Sequence, residues 1–126
     1  MVQGRGSACQ GMTIAVILLV SLVYCEIVHA TTFTVGDSEG WTFNVETWPD
    51  GKKFMAGDIL VFNYNKDFHN LVLVDKQGYD TCKPANGAKE YRSGSDSITL
   101  AKGQNYFICS LPNHCESKMK ISVNAE

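Results

Sequence analysis

The sequence carries no surplus of either charge. Eleven Lys and Arg face thirteen Asp and Glu, a formal net charge of −2 over 126 residues. A nucleic-acid binder that works by neutralising phosphates is therefore not expected. No internal repeat and no low-complexity tract interrupts the chain, and no Asn-x-Ser/Thr sequon occurs. Only one long apolar run exists, at 12–25, and nothing after it is apolar enough for a spanning helix or a lipid-anchor tail. Histidine is scarce, at three residues, and cysteine is odd in number, at five. What is present is a 44% hydrophobic chain of a length that suits one domain and a packed core rather than wholesale disorder.

The apolar run explains part of the odd count. Arg5 is the only charge in 1–11, the run 12–25 is shorter than the ~20 residues of a membrane span, and Val28-His29-Ala30 fits a small-x-small cleavage site. Residues 1–30 are read as a secretory signal peptide, in preference to a buried helix or an uncleaved anchor, and 31–126 as the mature domain. Cleavage leaves 96 residues with Cys82, Cys109, Cys115, His69 and His114. In an oxidising compartment one disulfide consumes two of these cysteines. The third must then be reactive, paired between chains or occupied by a metal.

Strand-like runs dominate the mature chain: 31–35, 58–64, 70–74, 97–100, 104–110 and 119–123. Turn residues separate them, which predicts an all-β antiparallel sandwich or barrel. The polar segment 75–96, with Gly78, Pro84, Gly87 and Gly94, predicts short helical turns and loop. Trp41 and Trp48 lie among turn residues and are read as structural caps of the core.

The chemistry gathers near the C-terminus. Cys109, His114 and Met119 form a C-x4-H-x4-M pattern on one inter-strand loop, and His69 at the mouth of another strand pair offers a second imidazole. One thiolate, two imidazoles and a weak axial thioether are the blue-copper donor set. The thiolate and thioether suit Cu(I), and the imidazoles serve both oxidation states, so an electron is exchanged with little rearrangement. Taken singly, each residue has a plainer role: His69 as a surface or core residue, Met119 as core, Cys109 as an inert buried thiol. Taken together they account for both remaining histidines and for the odd cysteine. Adjacent residues of an extended segment point to opposite sides. If His114 faces the metal, Cys115 faces away and is free to bridge to Cys82. Sequence alone does not prove connectivity, but the copper reading selects Cys82–Cys115. A zinc site of His69, Cys109, His114 and Cys115 is the weaker reading, because it turns both adjacent residues inward and leaves Cys82 free. A Cys–His hydrolase lacks an orienting acid, an oxyanion hole and a substrate cleft, so no enzyme is expected.

These residues resemble the phytocyanin family of the cupredoxin superfamily, in its plantacyanin (basic blue protein) branch. The resemblance covers essentially all of 31–126. It rests on Thr34-Val35-Gly36-Asp37 with Gly40-Trp41, on Phe54 with Gly57-Asp58, on His69-Asn70, and on Tyr79 and Cys82. It continues through Gly103 to Cys109, then Pro112, His114-Cys115 and Met119-Lys120-Ile121. It implies a cupredoxin-like antiparallel Greek-key β-sandwich, one type 1 copper ion on His69, Cys109, His114 and Met119, and the bridge Cys82–Cys115. By the same logic Asn70 and Ser110 tie the two ligand-bearing strands by hydrogen bonds, against the plainer reading of solvated strand ends. Two features depart from the family. Asn113 and Lys118 stand where glycine is usual, and a net charge of −2 does not fit a branch named for basicity. The function expected is a secreted, monomeric one-electron carrier of the apoplast and cell-wall matrix. A small redox partner would dock at the apolar rim of Leu111 and Pro112 beside His114. An extracellular signalling or adhesion module with incidental copper is the alternative.

Overall fold

The computed structural model describes residues 29–126; the apolar run 12–25 and nearly all of the expected leader lie outside the described residues. Among the described residues seven strands form two sheets. They are β1 (Thr32–Thr34), β2 (Ile59–Asn63), β3 (Leu71–Val74), β4 (Glu90–Tyr91), β5 (Ser95–Thr99), β6 (Gly103–Ile108) and β7 (Lys120–Ala125). One sheet has the order β1-β2-β5 and the other β4-β3-β6-β7. The chain passes from one sheet to the other between β2 and β3, returns between β4 and β5, and crosses again between β5 and β6. The all-β, two-sheet expectation holds.

Alternation explains which faces meet. In β2, Leu60 and Phe62 are buried while Ile59 and Val61 are half-buried; in β7, Ile121 and Val123 are buried between more exposed neighbours. Phe62 of the first sheet packs on Phe107 of the second, with ring centroids 5.0 Å apart, and Trp41 stands edge-on to Phe62 at 5.0 Å. Trp48 joins a second aromatic group with Phe33 and Phe54. Both tryptophans are structural, as expected.

The structure corrects the strand reading in two places. β1 and β2 pair in parallel, not antiparallel (Phe33 opposite Leu60). A parallel pair needs a crossover of a dozen or more residues, and the long segment 35–58 provides it. The two-residue strand β4 was not expected, because alternation cannot be read over two residues between Gly87 and Gly94. The helical turn is present as α1 (Lys76–Thr81), capped by the Asp75 carboxylate accepting from Gly78 N–H at 2.8 Å. A Cβ at Gly78 would stand 2.8 Å from the Val74 Cβ, so only glycine lets α1 lie this close to β3. Cys82 ends the helix with φ 61° and forms the disulfide with Cys115.

Candidate metal centre

The site forms where β3 begins and β6 ends. These strands are antiparallel neighbours, with Val72 opposite Ile108. Extending that register sets Asn70 across from Ser110, and the two are bonded twice. Ser110 N–H donates to Asn70 Oδ1 at 2.8 Å, and Asn70 Nδ2 donates to Ser110 Oγ at 2.9 Å. The Trp41 indole N–H donates to the Asn70 carbonyl at 2.9 Å. These bonds fix His69 and Cys109, the flanking residues, relative to each other. His69 also ends a tight turn, its N–H donating to Asn65 O at 3.0 Å while Asn65 Oδ1 accepts from Asp67 N–H at 2.9 Å.

The loop from Cys109 to Met119 is closed by its own backbone. Cys109 N–H donates to Met119 O and Met119 N–H to His114 O, each at 3.1 Å. Cys115–Ser117 is a 3-10 turn. The premise of an extended His114-Cys115 pair is thus corrected: His114 has helical backbone angles, φ −75° and ψ −51°. A 3-10 turn rotates successive side chains by about 120°, which still lets Cys115 face Cys82 while His114 faces Cys109. The disulfide follows as expected, and it consumes the Cys115 that the zinc reading required. Asn113 and Lys118 both adopt left-handed backbone, φ 69° and 68°, where glycine is ordinarily favoured. From outside, Asn44 N–H and Val45 N–H donate to the carbonyls of Ser117 and Lys118.

Three donors converge. His69 Nδ1 lies 3.2 Å from His114 Nδ1, Cys109 Sγ lies 3.3 Å from His114 Nδ1, and all three atoms fall within 4.8 Å of one another. Cys109 is fully buried, the imidazoles are half-buried, and the fully buried Met119 belongs to the same core cluster as Cys109. Burial pushes the Cys109 thiol pKa up, while the backbone amides of Asn70 and Leu111 and the charge of Arg92 pull the other way. Burial, then the neighbouring His114, lowers the pKa of His69, which favours the neutral imidazole that can donate a lone pair. The set is soft and nitrogenous with no carboxylate in it. That excludes an oxygen-seeking cation and fits copper.

Sequence reasoning missed two neighbours of this site. Phe43 stands edge-on to both imidazoles, at 4.8 Å from His114 and 5.4 Å from His69, and is 40% exposed. Glu90 of β4 accepts from Asn70 Nδ2 at 2.8 Å and from Arg92 Nε at 2.6 Å. The Asn70 bond first, then Arg92, lowers the Glu90 carboxyl pKa. Neither residue sits in a motif. A lone aromatic in a polar turn and a surface acid give no signal until the fold places them.

The plastocyanin-like domain family matches residues 39–119. The chain belongs to that family. This plastocyanin-like domain is 56% identical to the basic blue protein of Arabidopsis thaliana, over 99% of each chain. Its structure is similar to that of the cucumber basic protein, a blue copper protein, with a TM-score of 0.76 and 58% identity over 76% of this chain and all of that one. It is similar also to spinach plantacyanin, with a TM-score of 0.65 and 54% identity over 69% of this chain and 94% of the other.

Proposed function

We propose that this plastocyanin-like domain is a secreted one-electron carrier that holds one copper ion on His69, Cys109, His114 and Met119. The convergence of the Cys109 sulfur with two imidazole nitrogens carries this reading. When bound, copper supplies a couple between Cu(I) and Cu(II). The protein supplies a donor set that serves both states and a frame that keeps it from rearranging: the Asn70–Ser110 bonds on one side, the closed loop and disulfide on the other. The His114 imidazole is half-buried beside Leu111, Pro112 and Phe43, so its edge is the contact point for a partner. An apolar rim with near-neutral overall charge suits brief docking of a small redox protein rather than tight electrostatic capture.

The boundaries follow from the same reading. Residues 1–30 direct secretion, residues 31–126 act as a monomer in the extracellular matrix, and no substrate is turned over. Among the described residues no helix is long and apolar enough to cross a membrane. Relatives named as blue copper proteins support the assignment. The test is a redox titration of the copper-loaded chain. The expected result is one reversible electron per protein, lost in Cys109→Ala. A chain that retains no copper, or whose copper accepts no electron reversibly, contradicts the proposal.

A further inference from the structure

Away from the metal centre, Asp58 is buried, only 4% exposed, at the start of β2. Its Oδ1 accepts from Thr31 N–H and its Oδ2 from Met55 N–H, each at 2.9 Å. Among the described residues no Lys, Arg or His forms an ion pair with it. Both of its oxygens are thus met by neutral amides, and no cation among these residues stands against it. The other buried carboxylate among the described residues, Asp96, is met by the hydroxyls of Tyr64 and Ser93.

Thr31 is the residue that follows Val28-His29-Ala30. It is exposed, as is Ala30, and its carbonyl already accepts from Ile59 N–H at 2.9 Å, so it is held in place beside β2. We infer that Asp58 is the receptor for the mature N-terminus, and that leader removal between Ala30 and Thr31 completes a partly buried ion pair. Hydrolysis of the Ala30–Thr31 bond by a leader peptidase consumes one water. The hydroxyl goes to the Ala30 carbonyl carbon and a proton to Thr31 N. The new amine takes a second proton from solvent, as an α-amino group does near neutral pH. The nitrogen that already faces Asp58 becomes an ammonium without moving, and a hydrogen bond with charge on the acceptor alone becomes an ion pair with charge on both partners. Cleavage one residue to either side would set the charge elsewhere. The inference rests on reading 1–30 as a leader and is independent of the copper assignment.

The test compares residues 31–126, which contain every strand of both sheets, with the same chain preceded by Ala30, each with and without Asp58→Asn. Urea unfolding should give the free Thr31 chain a folding constant roughly tenfold larger than the Ala30-preceded chain. That advantage should disappear in Asp58→Asn. An equal advantage in both backgrounds, or none in the unsubstituted one, overturns the inference. Amine acylation of the two unsubstituted chains gives a second reading that needs no variant to fold. The Thr31 amine should react several-fold more slowly than the Ala30 amine, and equal rates overturn the inference. The mass of the protein secreted from a eukaryotic host reports the leader boundary separately. A mature chain that begins at Thr31 supports the maturation role, and any other start overturns it whatever the unfolding data give.

Discussion

The two sides of the metal centre are held by different means. Cys109, His114 and Met119 lie on one short loop that closes on itself by backbone bonds and is pinned from behind by the Cys82–Cys115 disulfide. His69 lies forty positions before Cys109 in the chain. It is brought there by the pairing of β3 with β6, and fixed by the Asn70 side-chain amide, the Trp41 indole and its own N–H bond to the Asn65 carbonyl. The first side is local and the second is topological. The difference teaches that a donor set can be mostly written in spacing while its last member depends on a sheet.

A way to break the comparison is to remove each support in turn. The largest stability effect is expected from replacing Cys82 and Cys115 together by Ala. The bridge spans 33 positions, so its loss should cost about 3–4 kcal/mol by the chain-entropy estimate. Urea unfolding of the copper-free protein checks this. The His69 backbone amide signal in NMR should stay in place, since its bond to the Asn65 carbonyl does not involve the disulfide. Next comes Asn70→Ala, at about 2–3 kcal/mol. It strands the Ser110 N–H and removes the bonds from the start of β3 to Ser110 and to Glu90 of β4. Here the signals of His69 and of Cys109 should move together; a shift on one side alone would break the claim that Asn70 couples the two.

The smallest effects sharpen the comparison inside the loop. Asn113 and Lys118 share nearly the same left-handed φ, 69° and 68°. Asparagine tolerates that region and lysine does so poorly. Lys118→Gly should therefore stabilise the protein by about 1 kcal/mol. The exposed Lys118–Glu46 pair that it removes contributes little. Asn113→Gly should change stability by only a few tenths of a kcal/mol. Equal gains at the two positions, measured by thermal unfolding, would contradict the strain assigned to Lys118.

Much of this molecule was legible in the sequence. Long alternating runs gave six of the strands, and the scarcity of histidine with an odd cysteine count pointed to Cys109, His114 and His69. What was not legible depended on partners distant in the chain. The parallel pairing of β1 with β2 follows from where the segment 35–58 delivers the chain, and no pattern within β1 records it. Strand β4 is two residues long, and it matters because it carries Glu90 to Asn70. Phe43 reaches the imidazoles through a turn whose backbone is held by the carbonyls of Ser117 and Lys118, a contact that neither segment announces alone. The Cys82–Cys115 pairing was read correctly from an extended backbone that is absent; the 3-10 turn at Cys115 separates the side chains instead.

The central claim is that one buried thiolate and two half-buried imidazoles act together as a copper donor set. The optical and EPR spectra of the Cu(II)-loaded protein, compared with Cys109→Ala, test it most directly. An intense blue thiolate-to-Cu(II) absorption with the matching EPR signature is expected, both abolished by the substitution. A colourless protein that holds copper only weakly, or a blue band that survives loss of the Cys109 sulfur, would contradict it.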